Sequence, residues 1–218
     1  MHENEKQLLA LNSILQGQED ERSRMAKDLH DGLGGMLSGI KLNLSSMKGN
    51  QVIQEKDALL FSRSIDQLDS AINEMRRIAH NMMPEALLKF GLSEALNDFC
   101  DGINQSSAVK LSYQPIGIEQ PLEKSTEVML YRIVQELCNN AIKHAAAANI
   151  LIQLNQHERG LTLTVEDDGS GFDTSQLSKM KGTGLQNVQT RVDYLKGIFT
   201  IESEINKGTF INIELPVA

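Results

Sequence analysis

At Pro84 the period of the apolar residues changes, and that change dictates a chain of two unlike modules. Before it, apolar or core-compatible positions recur every three or four residues: Leu8, Leu11, Leu15, Gln18, Arg22, Met25 and Leu29, then Leu33, Met36, Leu37, Ile40 and Leu44. This is the spacing of a helical seam, weakened where Gln18 and Arg22 occupy it. A first long helix is expected to stop near Gly49-Asn50, since glycine commonly ends helices. A second amphipathic helix carries Leu60, Ile65, Leu68, Ile72, Met75, Ile78, Ala79 and Met82 on one side, with Arg63, Asp66, Glu74 and Arg77 on the other, and ends at Met83-Pro84. Two such helices form an antiparallel hairpin that encloses no core by itself. Pairing of two hairpins into a four-helix bundle is therefore expected, giving a homodimer through residues 8–83.

Beyond Pro84 the spacing predicts a short helix around Leu92 to Ile103, a β segment from Val109 to Tyr113 and a strong helix from Glu123 to His144. The segments Ile150 to Leu154, Leu161 to Glu166, Phe199 to Ser203 and Thr209 to Leu215 alternate apolar and polar residues as half-buried strands do, with a helix from Leu185 to Leu195 among them. An antiparallel or mixed sheet with helices on one face, an α+β sandwich, is the architecture implied. The fold class is thus α followed by α+β, with domains at 1–84 and 85–218.

Charge and cysteine content narrow the function. A net charge of −8, with no basic run beyond Arg76-Arg77, excludes a dedicated nucleic-acid surface. Cys100 and Cys138 are the only cysteines, too few for a disulfide framework or a thiolate zinc site, and they read as buried apolar packing. No stretch approaches the ~18–20 consecutive apolar residues that cross a bilayer, and Met1 to Ala10 is too charged for a signal peptide. A cytoplasmic location follows as an expectation, as the soluble part of a parent that carries an upstream sensor or membrane segment.

Five stretches carry chemistry. His30, followed by Asp31, lies on the first helix with Leu29 and Leu33 toward the seam, which leaves the imidazole on the flank. Histidine titrates near neutrality, so its Nε2 is a nucleophile provided Nδ1 keeps its proton, and Asp31 is the acceptor at hand. On the strong helix Glu136, Asn140, Lys143 and His144 fall at intervals of four, three and one, gathering an acid, an amide and two potential cations on one broad face able to hold a magnesium phosphate. Asp167-Asp168-Gly169-Ser170-Gly171-Phe172 follows a strand, and Lys181-Gly182-Thr183-Gly184-Leu185 precedes a helix. Glycines at such junctions let backbone approach phosphate and leave helix N-terminal N–H groups facing an anion. Lys207-Gly208-Thr209 opens the last strand.

In this order these stretches resemble the sensor histidine kinases of the two-component systems, in the subfamily typified by nitrate sensors and the thermosensor DesK, over about the whole chain. His30-Asp31 resembles the phosphoacceptor motif, Glu136 to His144 the N box, Asp167 to Phe172 the G1 box, Gly182-Thr183-Gly184-Leu185 the G2 box and Gly208-Thr209 the last glycine motif. The resemblance implies the ATP-binding fold shared with Hsp90, gyrase and MutL and a dimerising, histidine-bearing hairpin before it. It implies ATP and Mg²⁺ as cofactors. Asn140 is implied as the Mg²⁺ ligand, Asp167 as the holder of the adenine amino group, Lys143 and His144 as neighbours of the phosphates, and Glu136 as a helper in the Mg²⁺ shell. Gly169, Gly171, Gly182, Thr183, Gly184, Leu185 and Thr209 complete the implied nucleotide site.

The implied reaction is autophosphorylation on His30, with transfer to an aspartate of a response regulator. Two departures stand out. The subfamily usually places Gln five residues after the phosphorylated His to position water for dephosphorylating the partner, and Gly35 stands there, so phosphatase activity is expected to be weak. The segment between Phe172 and Gly182 is short, so the lid over ATP should be small. An ATP-binding scaffold without transfer is disfavoured by the intact His30 and Asn140. An anti-sigma-type serine kinase would have no use for the paired-helix module.

Overall fold

Residues 17–48 form one continuous helix, α1, in which an α-helical 17–27 passes through a π-helical turn, Asp28–Leu33, into an α-helical Gly34–Lys48. The Gly34 N–H bonds the Leu29 carbonyl, five residues back, which marks the wide turn. Gly32, Gly34 and Gly35 weaken the α-helical preference there. The computed structural model describes residues 13, 17–48, 55–117, 122–158, 160–175 and 183–216. The seam positions Leu8, Leu11 and Leu15 and the helix stop at Gly49-Asn50 lie outside the described residues.

Helix α2, Glu55–Met82, packs against α1. Met75 explains one of the glycines: a Cβ on Gly34 would lie 3.0 Å from its methyl carbon. Lys41 bridges the helices to Asp69 at 2.6 Å. Among the described residues of this hairpin, Glu19, Ala26, Ile72, Met75, Ala79, Met83 and Pro84 are buried in the single chain, whereas Met25, Leu33, Met36, Ile40 and Ile78 are exposed. Of the expected inner positions of α2, Ile72, Met75 and Ala79 are buried and Ile78 is not.

The chain divides into two compact units, Met1–Glu85 and Ala86–Ala218. In the second, α3 (Glu85–Phe90) and α4 (Leu92–Ser106) precede strand β1 (Lys110–Ile116). Helix α5 (Lys124–Asn140) continues as a second π-helical turn, Ala141–Ala145, and is followed by β2 (Asn149–His157), β3 (Gly160–Asp167), α6 (Thr183–Tyr194), β4 (Ile198–Glu204) and β5 (Gly208–Pro216). The sheet order is β1-β2-β3-β5-β4, with β1 parallel to β2 and every other pairing antiparallel. The parallel pair follows from the connection, because α5 crosses between β1 and β2 as a helix must between parallel strands.

Alternation along the strands puts Ile150, Ile152, Leu154, Leu161, Leu163, Val165, Ile211, Ile213 and Leu215 on the buried face. Leu96, Leu130, Ile133, Val134, Val188 and Val192 from α4, α5 and α6 complete the core. The ring of Phe99 meets Tyr131 edge-on at 6.1 Å. Cys100 and Cys138 are free and buried, and burial pushes the Cys100 thiol up to about 11 and that of Cys138 higher still, so both pack as apolar groups.

Several boundaries differ from the sequence expectation, each for a local reason. Strand β1 extends through Pro115, tolerated because β1 is an edge strand whose missing N–H leaves no ladder bond unmade. Its start is fixed by Asn104, whose amide donates to the Leu111 carbonyl at 3.0 Å and accepts from the Leu111 N–H at 2.8 Å. The regular α-helical part of α5 ends at Asn140, four residues short of His144, where the wide turn begins.

Candidate functional site

His30 sits in the wide turn of α1 with its side chain 56% exposed and Nδ1 2.9 Å from Asp31 Oδ1. Consecutive residues on an α-helix diverge, and the larger number of residues per turn here brings neighbouring side chains closer in direction. A carboxylate accepting the Nδ1 proton leaves the Nε2 lone pair outward. Upstream, Arg24 bonds Glu21 at 2.6 Å and lies 3.7 Å from Asp28, and the Arg24 hydrogen bond holds the Glu21 carboxyl below its usual range.

In the second unit the polar residues gather in two groups at one end of the sheet. Asp167 closes β3 half-buried, and its Oδ1 accepts the Gly169 N–H at 2.9 Å. Burial pushes the Asp167 carboxyl up, partly offset by hydrogen bonds from Gly169 and Thr209. Asp168 accepts the backbone N–H groups of Ala148 and Asn149, both at 2.8 Å, and the Asn149 amide at 2.7 Å, which hold its carboxyl below the usual range. That clamp fastens the Asp167 loop to the start of β2.

The glycines of this loop are sterically required. A Cβ on Gly169 would strike Ala145 at 2.5 Å, and one on Gly171, whose φ is +56°, would run into the Glu204 carbonyl. The Ser170 N–H bonds the Ala145 carbonyl at 2.8 Å, so the loop is pinned to the end of the wide turn after α5.

The second group forms where α6 begins. Gly184 lies so close to α5 that a Cβ there would collide with the Glu136 carboxylate and stand 3.3 Å from the Asn140 amide nitrogen. Glu136, Asn140 and the N-terminal turn of α6 are thereby brought together, with Leu185 half-buried beside them. Lys143 and His144 are not held on that face by α-helical spacing: they fall in the wide turn, and both are exposed. Thr183 opens α6, and Gly182 lies outside the described residues. A cavity of about 290 Å³ opens at this end, lined by Asp167, Ser203, Gly208 and Thr209 together with Glu166, Glu202, Glu204, Lys207 and Phe210. Its carboxylates would repel a triphosphate, so the N-terminal turn of α6 at Gly184 is the better place for phosphates.

Sequence reasoning left two residues of this site without a role, Asp168 and Ser203. The signal for Ser203 was present: it is a hydroxyl at an inward-facing position of β4, where the alternation calls for an apolar side chain, and it stands directly across from Thr209.

The chain is similar to known proteins. Residues 21–87 match the family described as histidine kinase, and residues 125–218 match the family of histidine kinase-, DNA gyrase B- and HSP90-like ATPases. The sensor histidine kinase MctS of Rhizobium johnstonii is 31% identical over 207 residues, covering 93% of this chain and 44% of that protein. The signal transduction histidine-protein kinase/phosphatase DegS of Bacillus subtilis is 32% identical, covering 94% and 55%. The oxygen sensor histidine kinase NreB of Staphylococcus carnosus is 28% identical, covering 95% and 59%. The chain thus spans about half the length of the curated relatives it matches. Among solved structures, the histidine kinase domain of a blue-light activated histidine kinase of Erythrobacter litoralis shares the fold, with a TM-score of 0.52 at 20% identity over 84% of this chain and 94% of that one. The chain belongs to the sensor histidine kinases, joining a histidine kinase module to an ATPase module of the kind found in DNA gyrase B and HSP90.

Proposed function

We propose that the chain is the catalytic core of a sensor histidine kinase that moves the γ-phosphate of ATP onto His30 and passes it to an aspartate of a response regulator. The observation that carries this is the 2.9 Å pairing of His30 Nδ1 with Asp31 on an exposed helical turn, in a chain that also bears the ATPase module. Nε2 attacks the γ-phosphorus, the bond to the β–γ bridging oxygen breaks and ADP leaves, while Asp31 stabilises the imidazolium that forms and takes up its Nδ1 proton. General-base help of this type is worth about 10²- to 10⁴-fold in rate.

Asp167 accepts from the adenine amino group, and Thr209 and the backbone at Gly169 and Gly171 shape that end of the site. The α6 N-terminus at Thr183, Gly184 and Leu185, with Gly182 before it and Lys143 and His144 nearby, faces the phosphates. Among the described residues no group of three or more His, Cys, Asp or Glu could hold a metal ion. Asn140 and Glu136, hard oxygen donors side by side against Gly184, suit Mg²⁺, which keeps few protein ligands and shares the rest with phosphate. Bound there, Mg²⁺ would neutralise charge on the triphosphate.

The exposed apolar residues Met25, Leu33, Met36 and Ile40 on α1 support a homodimer through residues 8–83. Among the described residues no helix is long and apolar enough to cross a membrane. The parent protein carries an upstream sensor or membrane segment, and this core works in the cytoplasm without contacting nucleic acid. Incubation of the chain with γ-labelled ATP tests the reaction. The label should be acid-labile and base-stable, and His30→Gln should abolish it while leaving ATP binding intact. Label that survives in His30→Gln, or is stable in acid as a phosphoserine is, overturns the proposal.

A further inference from the structure

Three features of α1 converge on His30. The first is the wide turn: the Gly34 N–H bonds the carbonyl of Leu29 rather than that of His30, so Asp28–Leu33 holds a surplus residue within an otherwise α-helical run. The second is the pair of exposed side chains, His30 Nδ1 and Asp31 Oδ1, 2.9 Å apart. The third is the seat beneath the turn. Gly34, whose N–H makes the wide bond, is also the place where a Cβ would stand 3.0 Å from the methyl carbon of the buried Met75.

Single wide turns are rare in α-helices and concentrate at functional sites, so this one calls for a use and for something that holds it. The use is local. On an α-helix adjacent side chains do not face one another, whereas winding more residues into the turn narrows the angle between them and brings Asp31 round to Nδ1. The hold comes from α2, which packs on the turn as well as on the helix beyond it. With no side chain at Gly34, the Met75 methyl group fills the space where turn and α2 meet. Gly32 lies within the turn yet is exposed, with nothing inside 4 Å of where its Cβ would be, so its removal costs no packing.

We propose that the wide turn, seated on Met75 through Gly34, is the positioning element for phosphoryl transfer: it turns the Asp31 carboxylate onto Nδ1 of His30 and so leaves Nε2 as the nucleophile. The inference rests on the His30 reaction given above. It makes Gly34 and Met75 positioning residues of that reaction.

A full chain lacking Gly32 tests this. Without the surplus residue the turn should close as ordinary α-helix while the stretches on either side keep their faces, so the variant should fold and bind ATP as the parent does. Asp31 should then lose Nδ1. Nitrogen NMR of the neutral His30 ring should change from the Nδ1–H tautomer of the parent to the Nε2–H form that free imidazole prefers. The kcat for autophosphorylation should fall by about 10²- to 10⁴-fold at an unchanged KM for ATP. Asp31→Asn should give the same loss, and the two changes together no further loss, because both remove one pair. Met75→Ala, which takes away the seat, should move the tautomer ratio in the same direction. Should Met75→Ala unfold, Met75→Leu keeps the volume without the slender end that fits over Gly34 and is read in the same way. A parent ring in the Nε2–H form, additive losses in the double variant, parental kcat without Gly32, parental tautomer ratios in the Met75 variants, or a chain that cannot fold without the surplus residue overturns the proposal. Absence of label from His30 in the parent would instead remove the transfer reading, and the proposal with it.

Discussion

Asp167 illustrates how a binding residue works against the fold that holds it. Its carboxyl is pushed up by burial, so between the ordinary carboxylate range and its folded value the native state binds more protons than the unfolded one. Stability therefore falls as pH rises through that window, and at neutral pH the full penalty is present. Asp167→Asn removes the buried charge at nearly constant volume. Its Tm at pH 7 should equal or exceed the parent's while ATP affinity falls at least tenfold, and a lower Tm would mean that the bonds from Gly169 and Thr209 outweigh the desolvation. Gly35 is the other residue with a specific consequence. It is exposed, and nothing lies within 4 Å of where its Cβ would be, so a longer side chain has room there. A glycine cannot hold water in line with a phosphoaspartate. Gly35→Gln should raise dephosphorylation of the cognate regulator, measured against the regulator's own decay, and prompt dephosphorylation by the parent chain would show that another residue positions the water.

Among the elements, α4 shows how a fold is secured by a contact the sequence does not announce. Gly91, at φ +88°, leads into it, and the Leu92 N–H at its start is met by the buried Glu127 carboxylate at 3.2 Å, whose other oxygen bonds Lys124 at 3.2 Å. The cap comes from 35 residues away, so no local capping motif precedes the helix. Glu127→Ala should cost about 1–3 kcal/mol, because an N–H is left unsatisfied inside the protein. Urea unfolding of the second unit would register this as a lower midpoint at unchanged slope. Periodicity, by contrast, placed the helices and strands of that unit in order from α4 onward, since Ile150, Ile152 and Leu154 can only alternate on a strand and Leu130, Ile133, Val134 and Leu137 only stack on a helix, but it missed the six-residue α3 (Glu85–Phe90), too short to show a repeat. The glycine junctions were legible for the same reason, as Gly169, Gly171 and Gly184 mark places where a Cβ has no room. The wide turns at Asp28–Leu33 and Ala141–Ala145 were not, because an i→i+5 step leaves no repeat to count, and Lys143 and His144 consequently stand differently from their expected face.

For the whole molecule, the two units imply separable behaviour. The hairpin leaves Met36 60% and Leu42 69% exposed in the single chain, surface that a second hairpin would cover, whereas the second unit has a closed core under its sheet. A fragment of residues 8–83 should sediment as a dimer, and one of residues 87–218 as a monomer that binds ATP. The reverse result would place the association surface in the ATPase unit.

The wide turn at Asp28–Leu33 also sets a rule for splicing. One residue more than an α-helical turn is wound into it, so residues 17–27 are out of step with Gly34–Lys48 by about the 100° that one residue contributes to a helix. A heptad frame drawn straight through His30 will therefore assign the wrong letters on one side of it. Foreign coiled coils grafted upstream must be phased to the frame before Asp28, not to the one that follows Leu33, if the two copies are to meet along the same stripe.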